Sequence, residues 1–329
     1  MALLSFSDII DRIDRLEEAN ILIAAIKFKV FTHLGSASRT SEFISRKANL
    51  NSEGTVALLD ALCAMKVITK TQTKYKNSAE TYKHLCETSK DYKKGTVFLK
   101  QDNREEWSGL VDVIREGRKT DAFEVEDDSK YRELFTHAMH ERSDKYSKNL
   151  ANFVTRKPVG NLVDIGGGPG SYSAEILKLD KKANALLIDR SSSLKVARNL
   201  LKKQSLHKRF KFRPGDLFEV SFGSENDTIL YSNILHIYNK NENIILLKKI
   251  HASLKLGGRI IIVDLFLDAS RTRPFDAAMF SLTMLMFTET GRTYGTNETK
   301  TLLREIGFSK FRCFDLGGGS SAMEAEKVQ

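Results

Sequence analysis

The run Leu162-Val163-Asp164-Ile165-Gly166-Gly167-Gly168-Pro169-Gly170 constrains this chain more than any other stretch. It is a short apolar strand closed by a carboxylate, then four glycines in five positions, then a helix-compatible segment from Ser171 to Leu179. Glycine lacks the Cβ that would hold a ligand away from the backbone. The helix start behind the loop offers unpaired N–H groups and the positive end of its dipole. Strand, acid, glycines and helix in this order predict an α/β fold with a cofactor lying against the turn.

Two details choose among cofactors. A dinucleotide fingerprint needs G-x-G-x-x-G after a strand. Gly166 and Gly168 fit it, but the third position is Ser171. Asp164 would also repel a pyrophosphate, whereas an ammonium or sulfonium would be attracted to it. S-adenosylmethionine carries both cations, so it is the expected cofactor.

Composition excludes several other classes. Apolar residues make up 41% and charged residues 29% of 329, the balance of a folded globular chain rather than a disordered one. No apolar run is long enough to cross a bilayer, and Met1 to Asn20 has acids throughout, unlike a secretory signal. Cys63, Cys86 and Cys313 are few, odd in number and without metal-ligand spacing. They suit a reducing, cytoplasmic setting and predict neither disulfides nor a metal. The net charge of +10 raises a nucleic-acid partner. The densest basic patch, Lys202-Lys203 to Lys211, is short and has little aromatic interleaving, so the charge reads as a lysine-rich surface.

Along the chain the pattern changes near Gly160. Residues 1–100 read as helices with one hairpin. Ile9, Ile13 and Leu16 recur at helical spacing; Ala24–Leu34, Ser41–Ala48 and Ser52–Met65 follow as helices; Val67–Thr71 and Lys74–Asn77 pair around Gln72-Thr73. Three helices and a hairpin make a winged-helix pattern, used for DNA binding or dimerisation. The helix Ser52–Met65 contains no Lys or Arg with which to read bases. Residues 101–158 read as a helical linker bordering an acceptor pocket, and residues 159–329 as the catalytic domain. There strands and helices alternate as in a doubly wound parallel sheet, whose ligands bind at the carboxyl ends of the strands.

The candidate side chains fall at those strand ends. Asp164 ends the first strand. Asp189 ends the second, about 20 residues beyond the glycines, where a carboxylate can accept both hydroxyls of a ribose. Asp216, with Leu217 and Phe218, follows the third and suits an adenine ring and its amino group. Arg190 and Ser232 complete the expected cofactor set with Gly166, Gly167, Gly168 and Gly170. His236 follows the fourth strand and Asp264 ends the fifth, placing both on one rim. A histidine oriented by a carboxylate can act as general base, worth roughly 10²- to 10⁴-fold. Pro274 to Phe287 is rich in methionine and phenylalanine. Met279, Thr283 and Met286, with Phe135 and Met139 upstream, are candidates for lining an acceptor pocket, although such residues also form ordinary helix cores.

With these residues in place, the chain resembles the class I S-adenosylmethionine-dependent methyltransferases. More narrowly, it resembles the small-molecule O-methyltransferase family that includes acetylserotonin, caffeic-acid and flavonoid O-methyltransferases and their bacterial relatives. The resemblance runs from about residue 10 to residue 316. It rests on Val163–Gly170, Asp189, Gly215–Phe218, Leu235-His236-Ile237-Tyr238, Arg292-Thr293 and Gly307-Phe308. It implies an N-terminal winged-helix dimerisation domain, a Rossmann-like catalytic domain, a homodimer, and methyl transfer with His236 as base, without a metal.

The departures from the family lie around the base. The family's L-H-D-W reads Leu235-His236-Ile237-Tyr238. A glutamate at the end of the fifth strand is Asp264 here, and a second glutamate, before the Arg-Thr pair, is Gly291. Glu289 is the candidate to replace that second acid. The resemblance thus implies a catalytic set of His236, Asp264, Glu289 and Arg292. A hydroxyl oxygen of a small molecule is the expected acceptor, with sulfur, nitrogen or carbon as alternatives on the same scaffold. A ligand-sensing, winged-helix DNA-binding regulator is the competing class.

Overall fold

The computed structural model describes residues 3–101, 103–118 and 129–328. It divides into two compact units, Met1–Ser108 and Gly109–Gln329. The expected linker is therefore not a separate body: its portion from Gly109 onward belongs to the second unit.

The first unit opens with α1 (Phe6–Lys27), started by a capping box between Ser5 and Asp8. The sequence reading placed one helix over Ala24–Leu34. Instead α1 runs on to Lys27, the chain breaks at Lys29 with φ +52°, and the short α2 (Val30–Leu34) follows. Then come β1 (Arg39–Thr40), α3 (Ser41–Ala48), α4 (Ser52–Ala64), β2 (Ile68–Thr71), β3 (Lys74–Asn77), α5 (Ala79–Leu85), α6 (Lys94–Gln101) and α7 (Asn103–Ser108). The hairpin gains β1 as a third strand, in the order β1-β3-β2. Phe31, Leu34, Ile44, Leu59, Leu62 and Tyr75 form the core of this unit. Asn77 ties the hairpin to α2 by donating to the carbonyls of Phe31 (2.8 Å) and Gly35 (2.9 Å). This is the expected winged-helix arrangement.

The second unit begins with α8 (Leu110–Glu116), α9 (Ser129–Ser143) and α10 (Ser147–Val154). An alternating series follows: β4 (Asn161–Ile165), α11 (Ser171–Leu179), β5 (Asn184–Asp189), α12 (Ser191–Lys203), β6 (Phe210–Pro214), β7 (Asn226–Ser232), α13 (Lys240–Ser253) and β8 (Leu254–Asp264). The chain ends with α14 (Phe275–Phe287), α15 (Thr296–Ile306), β9 (Phe308–Gly317) and β10 (Ser320–Lys327). The strands form one sheet in the order β6-β5-β4-β7-β8-β10-β9. The chain winds outward from β4 to β6, then returns to β7 on the other side of β4. That reversal opens a crevice at the carboxyl ends of β4 and β7.

The two-residue period of the strands sorts the core. Leu162, Leu187, Ile261 and Val263 face α10, α11 and α12. Val163, Ile165, Ile260 and Ile262 face α13 and α15. Asp164 accordingly lies on the Leu162 face, against α11.

The sheet is mixed rather than wholly parallel. β10 runs antiparallel to both β8 and β9, and the sequence reading did not anticipate this hairpin. Gly317, Gly318 and Gly319 join its strands with φ of +90°, +57° and +80°, a turn that side-chain-bearing residues rarely make. β10 also closes a buried ion pair. Arg259 Nη1 and Glu324 Oε2 are 2.8 Å apart with both side chains almost fully covered, and Lys157 reaches the other Glu324 oxygen at 3.0 Å. Arg259 also donates to the carbonyl of Val154 at 2.8 Å, tying the sheet to α10.

Removing one partner of such a pair strands a buried charge, at a cost of about 3–5 kcal/mol. Glu324→Ala is expected to lower the denaturant midpoint accordingly. The double change Arg259→Met with Glu324→Leu is expected to recover most of the loss. Equal stability of Glu324→Ala and the parent in urea titrations would refute this account of the pair.

Candidate active site

The glycine loop is built by exclusion. A Cβ on Gly167 would lie 2.3 Å from Leu187 Cδ1 and 2.4 Å from Asp164 Cγ, so only glycine closes the loop over the acid. Gly168, at φ +52°, has open space where a Cβ would lie, and its amide is held by Asp189. α11 starts at Gly170 without a side-chain cap, so no N-cap side chain claims its first amides.

Asp164 lies beneath this loop, 1% exposed. Its Oδ2 accepts from Ser173 Oγ at 2.6 Å, while Oδ1 is buried without a partner. Burial pushes its carboxyl up to about 7, against the lowering effect of the Ser173 bond. Ser232 Oγ, at the end of β7, is likewise buried and unpartnered. An orphaned carboxylate oxygen, an orphaned hydroxyl and uncapped amides around one crevice fit the zwitterionic methionine part of S-adenosylmethionine.

The other cofactor candidates meet at the ends of β5 and β6. Asp189 Oδ2 accepts from the Gly168 amide and Oδ1 from the Arg190 amide, each at 2.7 Å. Burial raises its pKa, opposed by those two bonds. The Ser193 side chain bonds this carboxylate as well, and of its roughly four acceptor positions one remains for a ribose hydroxyl. Arg190 reaches Asp216 Oδ2 at 3.3 Å, and Asp216 Oδ1 accepts from the Phe218 amide at 2.8 Å. Lys249 Nζ holds this loop from behind, donating to the carbonyls of Leu217 and Phe218 at 2.9 Å each. Phe218 meets Tyr238 edge-on at 5.2 Å, joining this loop to the segment that carries His236.

His236 and Asp264 meet closely. His236 Nδ1 is 2.8 Å from Asp264 Oδ1, and the His236 amide donates to Oδ2 at 3.2 Å. The Leu265 amide also donates to Oδ1, at 2.7 Å. One carboxylate thereby fixes both the ring and the backbone of the histidine. With Nδ1 donating, Nε2 carries the free lone pair. It makes no hydrogen bond among the described residues. Asn243, fully buried, supports the segment from below by donating to the carbonyls of Leu235 (2.9 Å) and Tyr238 (3.0 Å).

The remaining two members of the expected catalytic set do not join this pair. Glu289 is exposed and makes no hydrogen bond among the described residues. Arg292 is paired with Glu298 and stacked 4.1 Å over the Tyr294 ring. Gly291, the position of the family's second glutamate, has no room for a side chain: a Cβ there would lie 2.3 Å from the His236 carbonyl oxygen and 2.6 Å from that of Ile237. The loop has closed against the histidine segment, and this shuts out the acid.

The expected pocket residues do not share one environment. Phe135 is exposed and stacked on Tyr131 at 6.3 Å. Met139 and Thr283 are half-buried, Met279 is exposed and Met286 is buried. From α14, Phe280 meets the His236 ring edge-on at 4.8 Å. Sequence reasoning placed Phe280 in the aromatic helix without linking it to His236. Its spacing from Met284 and Phe287 was the available signal. Among the described residues no group of three His, Cys, Asp or Glu side chains is placed to hold a metal ion.

The raised pKa of Asp164 makes a pH prediction for the protein without donor. A carboxyl raised in the folded state contributes stability that is fully present below its unfolded value of 3.8 and is lost as pH rises through about 7. Between pH 5 and 8 the melting temperature is expected to fall, and Asp164→Asn is expected to flatten that fall. A parallel pH dependence in parent and variant would show that Asp164 is not its source.

Residues 107–309 match the O-methyltransferase domain family. The chain is 24% identical over 297 residues to the 3-hydroxy-5-methyl-1-naphthoate 3-O-methyltransferase of Streptomyces sahachiroi, covering 88% of this chain and 86% of that one. It is 24% identical over 327 residues to the acetylserotonin O-methyltransferase of Bos taurus, covering 94% of each. Its fold resembles that of human N-acetylserotonin methyltransferase, solved in complex with SAM, with a TM-score of 0.84, 22% identity, and coverage of 100% of this chain and 99% of that one. The chain belongs to the O-methyltransferase family, enzymes that move a methyl group from S-adenosylmethionine to oxygen.

Proposed function

We propose that the chain methylates a hydroxyl of a small aromatic molecule, with His236 as the general base. The observation that carries this reading is the bond from His236 Nδ1 to Asp264 at 2.8 Å, which leaves the Nε2 lone pair free to accept a proton. When bound, S-adenosylmethionine supplies an electrophilic methyl group. His236 Nε2 accepts the proton of the acceptor hydroxyl, and Asp264 stabilises the resulting imidazolium. Phe280 and the other aromatic and methionine side chains of α14 suit a flat apolar acceptor. The names of the relatives, a naphthoate and an acetylserotonin methyltransferase, point to the same class.

In this reading Asp164, Ser232 and the loop Gly166, Gly167, Gly168 and Gly170 hold the methionine part of the donor. Asp189 accepts from a ribose hydroxyl, and Asp216, Leu217 and Phe218 border the adenine, with Arg190 fixing Asp216. We place the enzyme in the cytoplasm; no helix among the described residues is long and apolar enough to cross a membrane.

The same proposal makes the protein a homodimer through its first unit. α1 presents Phe6, Ile9, Ile10, Ile13 and Leu16 to solvent, Phe6 by 79% and Ile13 by 61%. A contiguous apolar stripe of this kind marks an interaction face.

Labelled methyl transfer to hydroxynaphthoates and N-acetylserotonin tests the activity. His236→Gln is expected to cut turnover about 10²- to 10⁴-fold while leaving S-adenosylhomocysteine binding intact. Asp189→Ala is expected to weaken that binding at least tenfold by calorimetry. Full turnover of His236→Gln, or unchanged binding by Asp189→Ala, would refute the respective role. For the dimer, Ile13→Asp with Leu16→Asp is expected to halve the mass measured by light scattering; an unchanged mass would remove α1 from the interface.

A further inference from the structure

Arg118 lies far in sequence from every motif discussed above, yet its guanidinium spans the two elements that enclose His236. Nη1 donates to the carbonyls of Met284 (2.9 Å) and Thr288 (2.8 Å) and to Thr288 Oγ1 (3.2 Å). Nη2 donates to the carbonyl of Gly291. The first two carbonyls end α14, and the third belongs to the loop behind it. A cation at a helix C-terminus is favourable in its own right. Only a planar fork can serve carbonyls on two separate elements from two nitrogens at once.

Both elements touch the base. α14 carries Phe280, whose ring meets the His236 imidazole edge-on at 4.8 Å. Gly291 packs directly against the His236 and Ile237 carbonyls. A small rotation of α14 against the 288–291 loop would therefore shift the imidazole from one side and its backbone from the other. Apart from the guanidinium, Thr288 Oγ1 back-bonds to Met284 O at 2.6 Å within the helix end. That bond does not reach Gly291.

We infer that Arg118 is a positioning residue for His236, locking the end of α14 to the Gly291 loop so that the imidazole holds one orientation. The inference rests on the reading of His236 as the base. It accounts for a site that keeps its histidine where the family's second acid has no room: the order that acid would impose from the side is supplied from behind, through backbone carbonyls.

The test uses two variants of the full-length protein. Arg118→Met keeps the apolar stem and removes every donor. Arg118→Lys keeps the charge but not the fork. The acceptor-independent readout is the ¹⁵N imidazole spectrum, with the His236 signals assigned by their loss in His236→Gln. In the parent, His236 should give one sharp tautomer with the proton on Nδ1. In both variants it should broaden or split, while affinity for S-adenosylhomocysteine changes less than twofold. Turnover of a hydroxynaphthoate should fall about 10- to 100-fold, the scale of a small misplacement of a reacting group. Millimolar guanidinium should restore part of it in Arg118→Met. Sharp, unchanged His236 signals in both variants would overturn the inference. So would a loss of S-adenosylhomocysteine affinity as large as the loss of turnover, which would mark a general collapse. If His236→Gln itself keeps full turnover, the base assignment has failed; if only the Arg118 variants behave as the parent, that assignment stands and the inference about Arg118 falls.

Discussion

The rest of the site is arranged around one carboxylate. Asp264 closes β8 and receives three bonds: the His236 ring, the His236 amide and the Leu265 amide. The ring bond sets the tautomer, and the backbone bond sets where the ring begins. Because β7 and β8 are paired neighbours, the register of the sheet delivers the acid to the histidine. Both groups are nearly covered, so the bond works in a medium of low dielectric, where a hydrogen bond is strong and a missing one costly. Asn243, Phe280 and Gly291 then pack around an orientation that is already fixed.

Much of this was legible in the sequence because local stereochemistry dictates it. The four glycines, Asp164 and the helix behind them form one continuous run of sequence, although the side chains that exclude a Cβ from the loop, Leu187, Leu201 and Ile234, lie elsewhere in the chain. Asp189 and Asp216 follow from the rule that functional groups gather at strand ends. His236 and Asp264 could be paired in advance because a single crossover joins their strands. What escaped has a different physical character. Arg118 acts on carbonyls more than 160 residues away, and a carbonyl has no side-chain identity to read. Asn243 and Lys249 likewise serve backbone groups. Glu289 is near the missing acid in sequence, but the closing of the loop at Gly291 leaves it exposed and outside the His236–Asp264 pair. The β9–β10 hairpin is signalled locally only by the three consecutive glycines of its turn. The apolar spacing of Ile9, Ile13 and Leu16 was visible, but spacing alone does not say whether the chain buries that face itself.

The two halves of the crevice are held by different means. In the proposed assignment, the donor side is held by a glycine loop that tolerates no side chain at Gly167, by Lys249, which donates to the Leu217 and Phe218 carbonyls, and by Arg190, which pairs with Asp216. On the acceptor side, α14 meets the base through an aromatic edge and is anchored to the exit of β8 by a small cluster of Leu265, Leu267, Ala277 and Phe280. The donor side is rigid by sterics, while the acceptor side depends on a few contacts at one end of a helix. Enzymes of one family that share a donor and differ in acceptor need this division.

Gly291 carries a consequence for redesign. Because its Cα already rests on the carbonyls of His236 and Ile237, residue 291 and the catalytic segment behave as one mechanical body. Grafting the glutamate found at this place in plant enzymes would not add a second carboxylate beside the base; the new side chain would wedge the base out of its seat. Under the proposed assignment, redesign of the acceptor side falls to the surface of α14, with the loop behind the histidine left as it is.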